Sequence, residues 1–334
     1  MISKNQLKQA ANQGIIQVDQ IDPLYQFLVQ NPAISEQQNQ EEPLKFIRSF
    51  GDIFITVGIV LLVLAINLAQ LSGYAYLIPV AGFVLISEWL VRVRKLALPG
   101  IAILLAILYF MNKAIIFDHA QATSFSLAVL SLSSLLYYLR YKMPFSLLPF
   151  AAGLIAIIII QTGVKVFEHP VIFVGLGFGV FLLAMGFDSL DTKRVSQLSD
   201  TAFWLHLLAA PLMVHGAMLS MITSDREWVQ AFDKEIMILI FFAAFFLLAL
   251  FIDRRAMLIS TQLYIIYAAT QLLENQLGNT QNIIMYIMLG LGFFVIFFGT
   301  YWYMARRIIF GFLAGSFISR FIPDLNLQDI HPEK

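Results

Sequence analysis

Two histidines nine residues apart, His206 and His215, lie inside one apolar stretch: Asp200-Thr-Ala-Phe-Trp204-Leu-His206-Leu-Leu-Ala-Ala-Pro211-Leu-Met-Val-His215. Imidazole titrates near neutral pH, so either could carry a proton or bind a substrate. In a helix the two stand about 13.5 Å apart along the axis and on nearly opposite faces. A straight helix therefore cannot offer both to one metal ion. Pro211 between them frees a backbone carbonyl and is expected to kink the helix, bringing their directions closer. Trp204, Pro211 and His215 share one face; His206, Ala210 and Ala217 share another, where alanine permits close helix packing. The competing reading makes each histidine a hydrogen-bonding bridge between helices. Asp200 reads as the N-cap of this helix.

A second polar set, Gln262, Tyr264, Tyr267, Thr270 and Gln271, falls in another apolar stretch. Tyr267 and Gln271 are four apart and share a face, where they could line a cavity or grip a neighbour. Trp204, His206, His215, Gln262, Tyr267 and Gln271 are thus the candidate substrate-pathway residues. Glu88 lies one turn before Arg92, which favours an i,i+4 ion pair over a proton-relay carboxylate. Asn67 and Gln161 fall near the outer ends of their segments, where water is close. No carboxylate sits at the middle of an apolar stretch, which argues against a dedicated proton or sodium antiporter. Gly175 and Gly179 form a GxxxG pair, and Gly290 and Gly292 cluster further on. Close helix approach is the expected role of Gly175 and Gly179, with Pro211 as a third packing position. Glycine-interrupted helices of a transporter are the alternative. No strand precedes these glycines and no lysine follows, so a phosphate-cradling loop is excluded.

The chain has no Cys, which removes disulfides, thiolate metal sites and a Cys nucleophile. HExxH, Walker and nucleophile-elbow patterns are missing too. His119, His169 and His331 fall in loops or the tail. An embedded hydrolase or zinc enzyme would have to assemble from His206, His215, Asp188 and Asp191 across different depths. No catalytic residue, metal ligand or cofactor is therefore expected, and the balance leans away from an enzyme.

These residues need elements to hold them, and composition names the kind. Of 334 residues 59% are hydrophobic and 13% charged, about half the charge of a soluble domain. That excludes an ordinary soluble enzyme, a disordered chain and an electrostatic nucleic-acid binder. Lys+Arg and Asp+Glu are both 21, so no global field recruits polyanions. Ten apolar segments recur: 50–70, 73–91, 96–112, 121–139, 144–163, 170–187, 201–223, 235–252, 256–273 and 283–304. At roughly 17–22 residues each can cross a hydrocarbon core as a helix, the third and sixth being the shortest. The runs are continuous rather than alternating, so helices are preferred over barrel strands. The fold class is all-α, a polytopic integral membrane protein.

Basic residues test the topology. Alternate connections hold Arg92, Arg94 and Lys95; Arg140 and Lys142; Lys193 and Arg194; Arg254 and Arg255; Arg306 and Arg307. Lys4, Lys8, Lys45, Arg48, Arg320 and Lys334 join them, which puts 17 of 21 on one side and leaves Lys113, Lys165, Arg226 and Lys234 opposite. The positive-inside rule then places both termini in the cytoplasm. An acidic residue followed by a basic pair repeats at these turns: Glu88, then Asp188 and Asp191, then Asp253. A duplicated hairpin would give this rhythm, but short cytoplasmic loops need basic residues in any case.

Residues 1–30 read as a cytoplasmic helical hairpin. Ser3 and Gln6 suggest a capping box, Leu7, Ala10 and Ala11 an apolar face, Gly14 a stop, and Asp19 the cap of a second helix through Leu24, Phe27 and Leu28. With Lys4 and Lys8 its only basic residues, this hairpin does not suit nucleic acid. Residues 31–49 read as a flexible linker, 50–304 as the membrane domain, and 305–334 as an interfacial segment and tail. Phe310, Leu313, Phe317 and Phe321 give that segment its apolar face, and Tyr301, Trp302 and Tyr303 suit an aromatic belt. The first long apolar run begins near Phe50, so no signal peptide is expected.

Three stretches together resemble a bacterial family of polytopic inner-membrane proteins of unknown function with a short N-terminal cytoplasmic helical segment. They are Ile2-Ser-Lys-Asn-Gln-Leu with Gln13-Gly-Ile-Ile, Pro43-Leu-Lys-Phe-Ile-Arg-Ser-Phe-Gly-Asp-Ile-Phe, and Ala202 through His215. The resemblance implies the bacterial inner membrane and this architecture, and it transfers no activity. A small-molecule or lipid transporter is the leading expectation. A scaffold recruiting a membrane or cytoplasmic partner through residues 1–30 comes second, and an embedded enzyme third.

Overall fold

The computed structural model describes residues 4–30, 49–116, 124–163, 169–192, 194, 196–223, 234–277, 280–313, 316–317 and 322, and among them every regular element is helical. The chain divides into two compact units, residues 1–48 with 327–334, and residues 49–326.

In the first unit, α1 (Lys4–Asn12) packs against α2 (Ile21–Gln30), with Leu7 and Ile21 buried. Gly14 takes a left-handed φ of 73°, and the N–H groups of Gly14 and Ile15 bond the carbonyls of Ala11 and Ala10. This is the helix stop that glycine makes easy. Asp19 does not cap α2. It sits inside a 3-10 turn, Val18–Gln20, where the Gln17 N–H donates to Gln20 Oε1 at 3.0 Å. The proposed capping box at Ser3, the linker 31–48 and most of the tail beyond Leu313 lie outside the described residues.

In the second unit, helices occupy all ten apolar segments. They are α3 (Phe50–Leu68), α4 (Leu77–Ser87), α5 (Ala97–Ile116), α6 (Ser124–Tyr141), α7 (Leu147–Thr162), α8 (Val171–Leu190), α9 (Gln197–Thr223), α10 (Lys234–Ile252), α11 (Gln262–Leu277) and α12 (Thr280–Phe310). Among the described residues eight helical stretches are long and apolar enough to cross a membrane, α4 only together with the 3-10 and π-turns that flank it (Gly73–Val93); α6 and α11 fall outside that set. The reason is composition. α6 carries five serines, three tyrosines and Arg140, and the apolar stretch at α11 is only Met257–Thr270. The third and sixth segments, shortest in the sequence, form full helices of 20 residues each.

Two apolar cores form. One gathers residues of α3 to α6, around Phe83, Ile103, Leu104 and Phe110. The other gathers residues of α7 to α12, around Ala209, Val214, Met218, Leu250 and Trp302. Trp204 of α9 bridges them, its ring 4.8 Å from that of Phe145 in an edge-to-face contact. Much of α3 and α12 stays uncovered, with Leu61, Leu68, Phe293 and Ile296 pointing outward. Hydrocarbon is the solvent that tolerates such faces.

Four turns at one end share a geometry. Lys95, Lys142, Arg194 and Asp253 each adopt a left-handed φ between 52° and 59°. This conformation ends a helix and reverses the chain within a few residues. After α4 the helix first widens into a π-turn, Glu88–Val93. Glu88 there bonds Arg92 at 3.1 Å, as the spacing predicts, and also accepts from Arg140 Nε at 2.9 Å and Tyr141 Oη at 3.1 Å. At the other end, Asn67 Oδ1 accepts from Tyr109 and Lys113 at 2.7 and 2.9 Å.

α12 runs a turn beyond the tenth segment and kinks at Tyr301, so Ile308–Phe310 belong to it rather than to a separate interfacial segment. Arg255 donates to the Gly299 carbonyl at 3.2 Å beside this kink. A broken helical ladder leaves carbonyls that need such donors.

Candidate functional site

The site is built where α8 and α9 lie antiparallel in close contact. A Cβ on Gly177 would stand 2.8 Å from the Met213 backbone nitrogen, and one on Gly216 2.8 Å from that of Val174. Ala184, Ala202, Ala209 and Ala210 are fully buried beside them. Small side chains bring the two backbones together, as membrane helices do. Ser196 caps α9, its hydroxyl accepting the Leu198 N–H at 3.2 Å, and Asp191 Oδ2 in turn holds Ser196 through its N–H and hydroxyl at 2.8 and 2.6 Å. Asp200, expected to be the cap, instead lies within the first turn, because α9 starts at Gln197.

Asp188 near the end of α8 and His206 on α9 then meet in the interior, 2% and 0% exposed. His206 Nε2 lies 2.9 Å from Asp188 Oδ2. Arg254, itself 2% exposed, reaches the same carboxylate from the α10–α11 turn. Its Nη2 bonds Oδ1 and its Nε donates to Oδ2 at 3.2 Å. Asp253 in its left-handed conformation makes this possible: the Arg254 N–H folds back to the Ala249 carbonyl at 2.9 Å and the side chain turns inward. Arg254 Nη2 also donates to the carbonyl and hydroxyl of Ser199, both at 3.2 Å. The Phe181 ring meets His206 edge-on, centroids 5.4 Å apart.

Further charged and polar groups surround this centre. Arg194 Nη1 donates to Asp253 Oδ2 at 2.8 Å, and its Nη2 to the Asp253 carbonyl at 2.7 Å. Trp302 Nε1 donates to Asp253 Oδ1 at 2.6 Å. Arg306 donates to the carbonyls of Leu250 and Phe251, both at 3.2 Å, at the C-terminal end of α10. The acid-then-base rhythm of the sequence is therefore realised as cross-links. Two of the buried aspartates take an arginine from the other hairpin, Asp188 with Arg254 and Asp253 with Arg194.

A carboxylate held by an arginine fork accepts hydrogen bonds, so His206 must donate through Nε2–H. That leaves Nδ1 as a lone-pair acceptor, and it is buried with no partner among the described residues. An aspartate–imidazole pair is the base half of a hydrolytic triad. A nucleophile would have to stand at Nδ1, where no described hydroxyl does. Among the described residues no group of three or more His, Asp or Glu is placed to hold a metal ion.

The pathway candidates do not converge. α9 continues through Pro211 without interruption, and the two histidines find partners on different helices. His215 is exposed and its Nδ1 lies 2.7 Å from Tyr264 Oη of α11, so Tyr264 rather than Tyr267 is the tyrosine that reaches α9. Tyr267 is exposed, Gln262 half-buried and Trp204 packed on Phe145 and Phe203; the Gln271 side chain lies outside the described residues. Gly175 and Gly179 do not pack inside the chain: a Cβ on either meets nothing within 4 Å. The packing glycine of α8 is Gly177 between them, because residues two apart on a helix point to different faces. Trp302 is 1% exposed and bonds Asp253, so it does not belong to an aromatic belt. Arg254, Asp253 and Trp302 were missed as site residues, although the repeated acid–base turns carried the signal. No protein-family profile, curated protein or solved structure matches this chain.

Proposed function

We propose that this chain is a transporter or permease for a small molecule or lipid in a bacterial inner membrane, with ten spans and both termini cytoplasmic. The Asp188–His206–Arg254 centre is its inner closure. One observation carries the reading: a single carboxylate, 2% exposed, ties α8, α9 and the α10–α11 turn together. Apolar side chains would hold helices in place at lower cost, since buried ion pairs often stabilise less than the apolar residues that replace them. Ionisable groups inside a membrane bundle mark function by default. The 17-to-4 division of basic residues supports this orientation, in which the centre lies at the cytoplasmic end.

Trp204, Leu208, Pro211 and His215 recur every three or four residues along α9, and none is fully buried. This stripe is the candidate wall of the pathway, with Tyr264 of α11 against His215 at its end. The natural absence of Cys makes the test direct. Single cysteines at 203–216 are labelled with a membrane-impermeant maleimide in intact cells and inverted vesicles. Strong labelling at 204, 208, 211 and 215 with protection at 206, 209 and 210 is expected. Protection throughout, in folded protein, refutes the pathway. The scaffold reading keeps one observation in its favour, the outward GxxxG face of Gly175 and Gly179.

A further inference from the structure

We propose that His206 Nδ1 is a proton-binding site, and that a proton arriving there releases Arg254 from Asp188. The proposal names the coupling ion of the transport reading, and rests on that reading for its physiological meaning.

The geometry leaves Nδ1 one open role. Nε2 is committed to Asp188, Nδ1 faces no donor among the described residues, and the ring is 0% exposed. The groups around it set the consequence of protonation. Asp188 faces it from α8 together with the Phe181 ring, and Arg254 from the α10–α11 turn. Arg194 comes from the α8–α9 turn and is paired with Asp253; Ser199, on the same helix as His206, contacts Arg254. α7 also packs on α9 and carries no titratable side chain, while those of α10 are Lys234 and Glu235 at its far end.

Charge is balanced before the proton arrives. Asp188, Asp191 and Asp253 match Arg194, Arg254 and Arg306, and His206 is neutral. A proton on Nδ1 makes an imidazolium whose Nε2–H already shares Asp188 Oδ2 with Arg254 Nε, at 2.9 and 3.2 Å. Two cations then compete for one carboxylate in a dry interior, where like charges are poorly screened. Arg254 is the one able to leave, because it sits on a turn and His206 is fixed inside a helix. Its departure removes the direct link between the α10–α11 turn and the Asp188 carboxylate, leaving the Arg194–Asp253 pair as the remaining charged tie among the described residues. The proton comes from solution and adds to the Nδ1 lone pair, and no other bond changes. Protonation and the Arg254–Asp188 bond oppose each other, so acid favours the released state.

Two readouts on the full chain in nanodiscs test this. The first is nitrogen NMR of ring-labelled histidine, with the His206 signals identified by loss in His206→Gln. Should that variant not fold, they are identified by elimination with substitutions at His119, His169, His215 and His331. Expected is an Nε2–H tautomer near pH 8 that gains a proton at Nδ1 as the pH is lowered toward 5. The second is maleimide labelling of Ala202→Cys, one turn from His206 and 0% exposed, relative to the exposed Gln197→Cys. That ratio is expected to rise on acidification, by up to about tenfold per pH unit once His206 begins to take up its proton. It stays flat in His206→Gln, whose amide can still donate to Asp188 but takes up no proton. A single neutral tautomer from pH 8 to 5 overturns the proposal, as does a ratio that ignores pH or rises equally in the glutamine variant. A dry helix in the 203–216 scan with a titrating His206 refutes transport alone. A wet helix with a flat ratio refutes the proton site alone.

Discussion

Arg254→Met breaks the central ion pair from one side, and its cost separates a coupled buried centre from a solvated one. In the folded protein it leaves Asp188, 2% exposed, with His206 as its remaining described side-chain partner. Removing one member of a buried pair costs about 3–5 kcal/mol, because the other charge stays desolvated. Asp188→Leu strips the partner from both Arg254 and His206 and falls in the same range. The double variant leaves no unpaired charge, only a His206 donor without an acceptor, at about 1–3 kcal/mol. The double cost is thus expected to lie below either single cost, with a coupling of at least about 3 kcal/mol from the same figures. Reversible unfolding in mixed micelles measures it, with Trp302 and Trp204 as fluorescent reporters near Asp253 and the core junction. Single costs that simply add, within about 0.5 kcal/mol, would refute the reasoning. The three groups would then be acting independently.

Gly177→Leu is expected to abolish stable α8–α9 packing, since even a Cβ there stands 2.8 Å from the Met213 backbone nitrogen, whereas Gly175→Leu leaves folding intact; size-exclusion profiles in detergent compare them. If the scaffold reading holds, Gly175→Leu weakens cross-linking to a partner without changing monomer stability. Trp302→Phe keeps the apolar ring but loses the 2.6 Å bond to Asp253, which should cost about 1.5–3 kcal/mol in the same unfolding assay. Glu88→Gln should change stability little, because its bonds to Arg92 and Arg140 are exposed and water replaces them. A large loss there would mean that the π-turn after α4 depends on this pair.

Much of the architecture was legible because membranes impose length and polarity on every span. Apolar runs of the right length located the ten long helices among the described residues of the larger unit, and Gly14 marked a helix end for a backbone reason that holds anywhere. His206 stands out in the sequence as an imidazole in an apolar helix, and the structure gives the two histidines partners on different helices. The pairing of Asp188 with Arg254 was not legible, because 66 residues separate them and nothing local prefers that partner to Lys193 or Arg194. Gly177 was passed over for the GxxxG pair, since spacing identifies a face but not which face is covered. Trp302 looked like an interfacial aromatic, and only the approach of Asp253 turns its N–H inward.

Taken by itself, the sequence determined a multi-pass helical membrane protein without cysteine chemistry, the approximate positions of its apolar helices, and the turns at which charge accumulates. These follow from composition and period, which act over one or two turns of chain. The tertiary structure decided which aspartate meets which arginine, which glycine carries the α8–α9 contact, and that Nδ1 of His206 is left without a partner. Those outcomes depend on how helices far apart in sequence are set against one another, and the small residues at their crossings allow an approach that hydropathy does not encode.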